Sequence, residues 1–134
     1  MRFLETDAIL RYLTRDDEAK AGEVLELLRR VETNKEQVMT SPLVIFEVVF
    51  TLQSYFKLPR TDIRDLVLTI LYLRGLSLSE KEVFADALDD YCELNLPFAD
   101  AFNACYMKKR KIHEIYSYDE HYDKIEGIRR VLAK

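Results

Sequence analysis

Apolar residues recur along this chain at two different spacings, and the alternation predicts short strands separated by helices. In residues 17–31, Ala21, Val24, Leu25, Leu28 and Val31 return every three or four positions while acids and arginines fill the gaps, which marks an amphipathic surface helix. Ahead of it, residues 2–5 read as a strand, and a helix opened by Asp7 or a neighbour carries Ala8, Ile9, Tyr12 and Leu13. Residues 37–40 are again extended, with Ser41 as N-cap and Pro42 in the first helical position, where a missing N–H costs nothing. The helix that follows, to about residue 56, is apolar almost all round and is expected to be buried. After Leu58-Pro59-Arg60 breaks the chain, Thr61 is expected to cap a helix whose stripe is Ile63, Leu66, Val67, Ile70 and Leu71, closed by Gly75. Leu76-Ser77-Leu78 reads as a very short strand. Ser79-Glu80-Lys81-Glu82 has the form of a capping box ahead of Val83, Phe84, Ala87, Leu88 and Tyr91. Pro97 then opens a helix to about residue 111, and strands are expected at 114–118 and near 128–132.

Strands that alternate with helices, without an Asn-Gly hairpin turn, require crossover connections, so the class is α/β with a parallel sheet. At 134 residues, with no internal repeat or Gly/Ser linker, the chain is expected to form one domain, 1–134. Its 49% hydrophobic and 33% charged residues, with three Gly and three Pro, exclude disordered and collagen-like classes. Twenty basic against 24 acidic residues give a net charge of -4, so any polyanion must be gripped by local patches. Cys92 and Cys105 match neither a disulfide framework nor a zinc site, which fits a reducing cytoplasm. The N-terminus lacks a signal-peptide core, and the apolar run 43–52 is too short to span a bilayer and contains Glu47, so a cytoplasmic protein without a membrane segment is expected.

Charge is distributed unevenly. Between residues 37 and 56 the only charge is Glu47, and between 94 and 107 it is Asp100, in the first turn or so of its helix. Burying an unpaired carboxylate is costly, so each needs a partner in the fold. Glu5 and Asp119 stand just past predicted strands, at the sheet edge where open α/β folds bind ligands. An acid after a strand is also an ordinary helix cap, and an acid in a first helical turn complements the helix dipole, so neither position proves a site. Glu47, about a turn and a half into its helix, has no such explanation. If the four acids converged, they would repel unless a divalent cation neutralised them, and oxygen ligands favour Mg²⁺ or Mn²⁺ over zinc.

Four segments carry a resemblance. Glu5-Thr6-Asp7-Ala8-Ile9-Leu10-Arg11-Tyr12-Leu13, Pro42-Leu43-Val44-Ile45-Phe46-Glu47, Phe98-Ala99-Asp100-Ala101 and Ser117-Tyr118-Asp119-Glu120-His121-Tyr122-Asp123 resemble, in order and separation, the motifs of PIN-domain ribonucleases, particularly VapC-like toxins. The resemblance implies a three-layer α/β/α domain with a short parallel sheet of four to five strands. It also implies an acidic pocket for one or two Mg²⁺ or Mn²⁺ ions, hydrolysis of RNA phosphodiester bonds, and an antitoxin partner. By the same carry-over, Glu5, Asp100 and Asp119 are metal ligands and Glu47 orients water at the metal, with Thr6, Asp7, Asn103 and Asp123 supporting them. The family's first acid is usually Asp. Glu5 sets its carboxylate roughly 1.5 Å further out, which implies weaker catalysis or a share for Asp7, where Asn is usual.

Other features have plainer explanations. Lys108-Lys109-Arg110-Lys111 closes the helix that Asp100 opens and offsets its dipole. Arg11 and Arg15 are better placed for phosphate, though a solvated face accounts for them too. His121, two residues after Asp119, can serve as a ligand or proton carrier, but a surface histidine needs no such role. Leu68, Tyr72 and Leu73 widen one apolar stripe towards a homodimer contact. The rival to an enzyme is a catalytically weakened PIN-like module that binds RNA or protein.

Overall fold

In a computed structural model, which describes residues 1–134, strands and helices alternate as the hydrophobic pattern predicts. The order is β1 (Arg2–Phe3), α1 (Thr6–Thr14), α2 (Glu18–Glu32), β2 (Val38–Met39), α3 (Pro42–Ser54), α4 (Arg60–Leu71), β3 (Leu76–Ser77), α5 (Lys81–Glu93), α6 (Phe98–Lys109), β4 (Glu114–Tyr116), a 3-10 turn (Glu120–Lys124) and β5 (Arg129–Val131). All strand pairings are parallel, and the class is helix-rich α/β. The chain divides into two units, Met1–Glu80 and Lys81–Lys134. No helix is long and apolar enough to cross a membrane.

In the first unit the strands lie in the order β1-β2-β3. Leu4 donates to the Met39 carbonyl at 2.7 Å, and the buried Thr40 hydroxyl donates to the Leu4 carbonyl at 2.7 Å, which fixes the chain as it leaves β1 for α1. Ser41 caps α3 as predicted, accepting from the Val44 N–H at 3.3 Å, and Pro42 starts the helix. Val44, Ile45, Val48, Val49 and Leu52 are buried, but Leu43 and Phe50 are 67% and 70% exposed, so α3 is half-buried rather than enclosed. Helix α4 is capped by Pro59, not Thr61. The Pro59 carbonyl accepts from Ile63, and its extended backbone hands over to Arg60 two residues ahead of the expected start. Gly75 is obligatory where α2 meets the third strand. A Cβ there would lie 2.5 Å from the Glu36 carbonyl oxygen and 2.8 Å from that of Val31.

The second unit is built on the pairing of α5 and α6, with β4 and β5 as a separate two-stranded ladder. Helix α5 begins at Lys81, directly after Glu80 with φ +62°, so the helix starts one residue too late for Ser79 to act in the expected capping box. The core is aromatic. Phe84, fully buried, stacks on Phe98 at 6.2 Å and meets Phe102 at 4.6 Å, while Tyr91 meets Phe98 edge-on at 5.8 Å. Ala101 and Ala104, also fully buried, let the helices approach closely.

Candidate active site and metal centre

The first turn of α6 is fixed from below. Phe98, its first residue, is locked into the aromatic core, and Pro97 provides the extended N-cap, so Asp100 is held in that turn with its side chain only 16% exposed. Asn103 lies three residues on, on the same helix face. From the other side, β4 delivers the chain to Asp119, whose N–H donates to the Ser117 hydroxyl at 2.9 Å. Asp119 then caps the 3-10 turn by accepting from the His121 N–H at 2.9 Å. Tyr122, buried at 4% exposure, pins that turn to α6.

These elements bring two of the predicted acids together. The Tyr122 hydroxyl accepts from Asn103 Nδ2 at 3.1 Å and donates to Asp100 Oδ1 at 3.4 Å. His121 Nδ1 lies 3.0 Å from Asp100 Oδ2 and 2.8 Å from Asp119 Oδ1, bridging the two carboxylates. The partners demanded by Asp100's isolation in the sequence are therefore Tyr122 and His121. The His121 backbone N–H, more than its ring, holds the Asp119 carboxyl below its ordinary value. Burial raises the Tyr122 phenol above its usual value, with Asp100 adding and Asn103 opposing.

One ligand atom each from Asp100, Asp119 and His121 lie within 4.8 Å of one another. Two carboxylates and an imidazole so disposed fit a divalent cation by donor type and spacing. The sequence offers His121 as a ligand, a proton carrier or an ordinary surface histidine, and the structure sets its ring between Asp100 and Asp119. The signal for His121 was its place two residues after an acid that ends a strand.

In the first unit, Glu5 is the N-cap of α1, but its side chain makes no capping hydrogen bond and is exposed, so capping does not explain it. Glu47 is exposed on α3, correcting the expectation of a buried carboxylate, and accepts from the buried Thr6 hydroxyl at 3.3 Å. Asp7 pairs with Arg11 at 3.5 Å, and Arg11 also pairs with Asp16 at 3.3 Å. Asp123, in the second unit, is committed to Arg130 through two contacts of 2.8 and 2.9 Å, and the guanidinium depresses its carboxyl.

The remaining candidates keep structural roles. Arg110 lies 3.6 Å over the Tyr106 ring, and Lys109 pairs with Glu82 at 3.8 Å, both at the end of α6. Both cysteines are free, and burial and then Asp90 push the Cys105 thiol up to about 12, far from a nucleophile's range.

Comparison with known families decides the kinship. The sequence profile described as PIN domain matches residues 2–128. The chain belongs to the PIN domain family. A VapC ribonuclease of Aquifex aeolicus (strain VF5) is 26% identical over 125 residues, covering 93% of this PIN domain chain and 92% of that protein. The crystal structure of Mycobacterium tuberculosis VapC20, described as a sarcin–ricin loop cleaving toxin, is 19% identical, with 92% of this chain and 93% of that one covered and a TM-score of 0.40.

Proposed function

We propose that this PIN domain, working as one domain over 1–134, is a metal-dependent endoribonuclease that hydrolyses RNA phosphodiester bonds as the toxin of a toxin–antitoxin pair. The observation that carries the reading is the meeting of Asp100 and Asp119 around one point, in a chain whose relative over nearly its whole length is a VapC ribonuclease. Asp100 and Asp119 would hold Mg²⁺ or Mn²⁺. When bound, such an ion supplies a positive centre that acidifies water and stabilises charge on phosphoryl oxygens. Tyr122, itself oriented by Asn103, holds Asp100 Oδ1 and leaves Oδ2 turned towards His121 and Asp119. Glu5 brings a carboxylate that capping leaves unused. Glu47, within the first unit, accepts from the Thr6 hydroxyl. Besides RNA, the reading takes an antitoxin protein and a second copy of the chain as partners, in a reducing cytoplasm that keeps Cys92 and Cys105 as thiols.

The purified chain is expected to cleave single-stranded RNA with Mg²⁺ or Mn²⁺, to stop when the metal is chelated, and to resume when it is restored. Cleavage indifferent to chelation would remove the metal mechanism. Glu5, one methylene longer than the family's usual Asp, favours a second reading, a catalytically weakened RNA- or protein-binding module. Glu5→Asp separates the two. A gain of roughly tenfold or more in cleavage, about 1.4 kcal/mol of barrier, marks a weakened enzyme, and no cleavage by either form marks the module.

A further inference from the structure

Resting on the reading that Asp100 and Asp119 hold a divalent cation, we propose that His121 is a third, nitrogen ligand of that ion and biases the centre towards manganese over magnesium. The inward-facing ring atom is Nδ1, 3.0 Å from Asp100 Oδ2 and 2.8 Å from Asp119 Oδ1. In an octahedral site with bonds of about 2.0–2.1 Å, neighbouring donors stand about 2.8–3.0 Å apart. Nδ1 therefore stands from each carboxylate oxygen at the spacing of adjacent corners of one coordination shell, and one ligand atom from each of the three residues lies within 4.8 Å of the others. The imidazole is held there. The His121 backbone N–H is tied to Asp119, and the next residue, Tyr122, is buried and bonded to Asp100. With a cation on Nδ1, the ring proton resides on Nε2. The side chains of His121 and Asp119 are 44% and 42% exposed, so the shell keeps an open side for water and substrate.

The selectivity follows from ligand type. Magnesium favours all-oxygen shells and sheds water reluctantly, whereas an imidazole donor suits a softer transition ion. The four family-matched acids alone would give no such bias.

Pulsed electron paramagnetic resonance on the manganese-loaded full chain reads the ligand directly. The expected spectrum contains the coupling of a directly bonded nitrogen-14, lost in His121→Ala and His121→Asp while manganese stays bound. The ratio of manganese to magnesium affinity, measured by competition, falls about tenfold in both variants, because each leaves an oxygen-only shell. The wild-type spectrum does not depend on any variant folding. Bound manganese without that nitrogen coupling overturns the proposal and leaves the metal-dependent reading standing, as do a coupling that survives in the variants or an unchanged affinity ratio. A wild-type chain that binds no manganese at all overturns both.

Discussion

The acids of the two units are held in different ways. In the second unit, Asp100 and Asp119 belong to a network in which Tyr122, itself held by Asn103, the His121 ring and a backbone N–H each engage a carboxylate, over an aromatic core. In the first unit, Glu47 stands exposed with one side-chain hydrogen bond from Thr6, and Glu5 projects from a helix cap it does not serve. A carboxylate held by several donors is pre-positioned for a ligand, whereas a loosely held one depends on what binds to set its geometry. By that measure the acids of the second unit are the more firmly positioned of the two sets.

The contrast breaks most severely if the platform under Asp100 is removed. Phe84→Ala takes away the ring that packs against Phe98 and Phe102 and should cost about 3–5 kcal/mol of stability in denaturant titration. A loss under 1 kcal/mol would mean that the aromatic cluster does not support α6. Smaller deletions sharpen the comparison. Tyr122→Phe strips one member of the network and should cost about 1 kcal/mol, whereas Thr6→Val, whose partner is exposed, should cost about 0.5 kcal/mol. Equal costs would erase the distinction between the units. The smallest effect is on pH dependence. Arg130 lowers the folded-state value of Asp123, so the pair's contribution is complete above 3.8, the ordinary aspartate value, and disappears as pH falls through the depressed one. Asp123→Asn should flatten the acid limb of a melting-temperature profile slightly; an identical limb would show that the pair adds nothing to stability.

Much of this was legible in the residues. The 3-4 spacing located α2, Ser41-Pro42 fixed the start of α3, and the scarcity of charge around Asp100 signalled a carboxylate with unusual partners. The same scarcity misled for Glu47, because Leu43 and Phe50, one turn either side of it, are themselves exposed. The start of α5 was misjudged because a capping box is a local preference, and the backbone at Glu80 takes a left-handed turn instead. His121 was offered by its place two residues after Asp119, but its meeting with Asp100, 21 residues away, is encoded by no local pattern.

The central claim is that Asp100 serves chemistry rather than stability, and cleavage of single-stranded RNA by Asp100→Asn with saturating Mn²⁺ tests it most directly. Asn keeps an oxygen to accept from Tyr122 but removes the charge, so the melting temperature should hold while cleavage falls by at least about a hundredfold. A folded Asp100→Asn protein that cuts RNA as fast as the wild type would contradict the account.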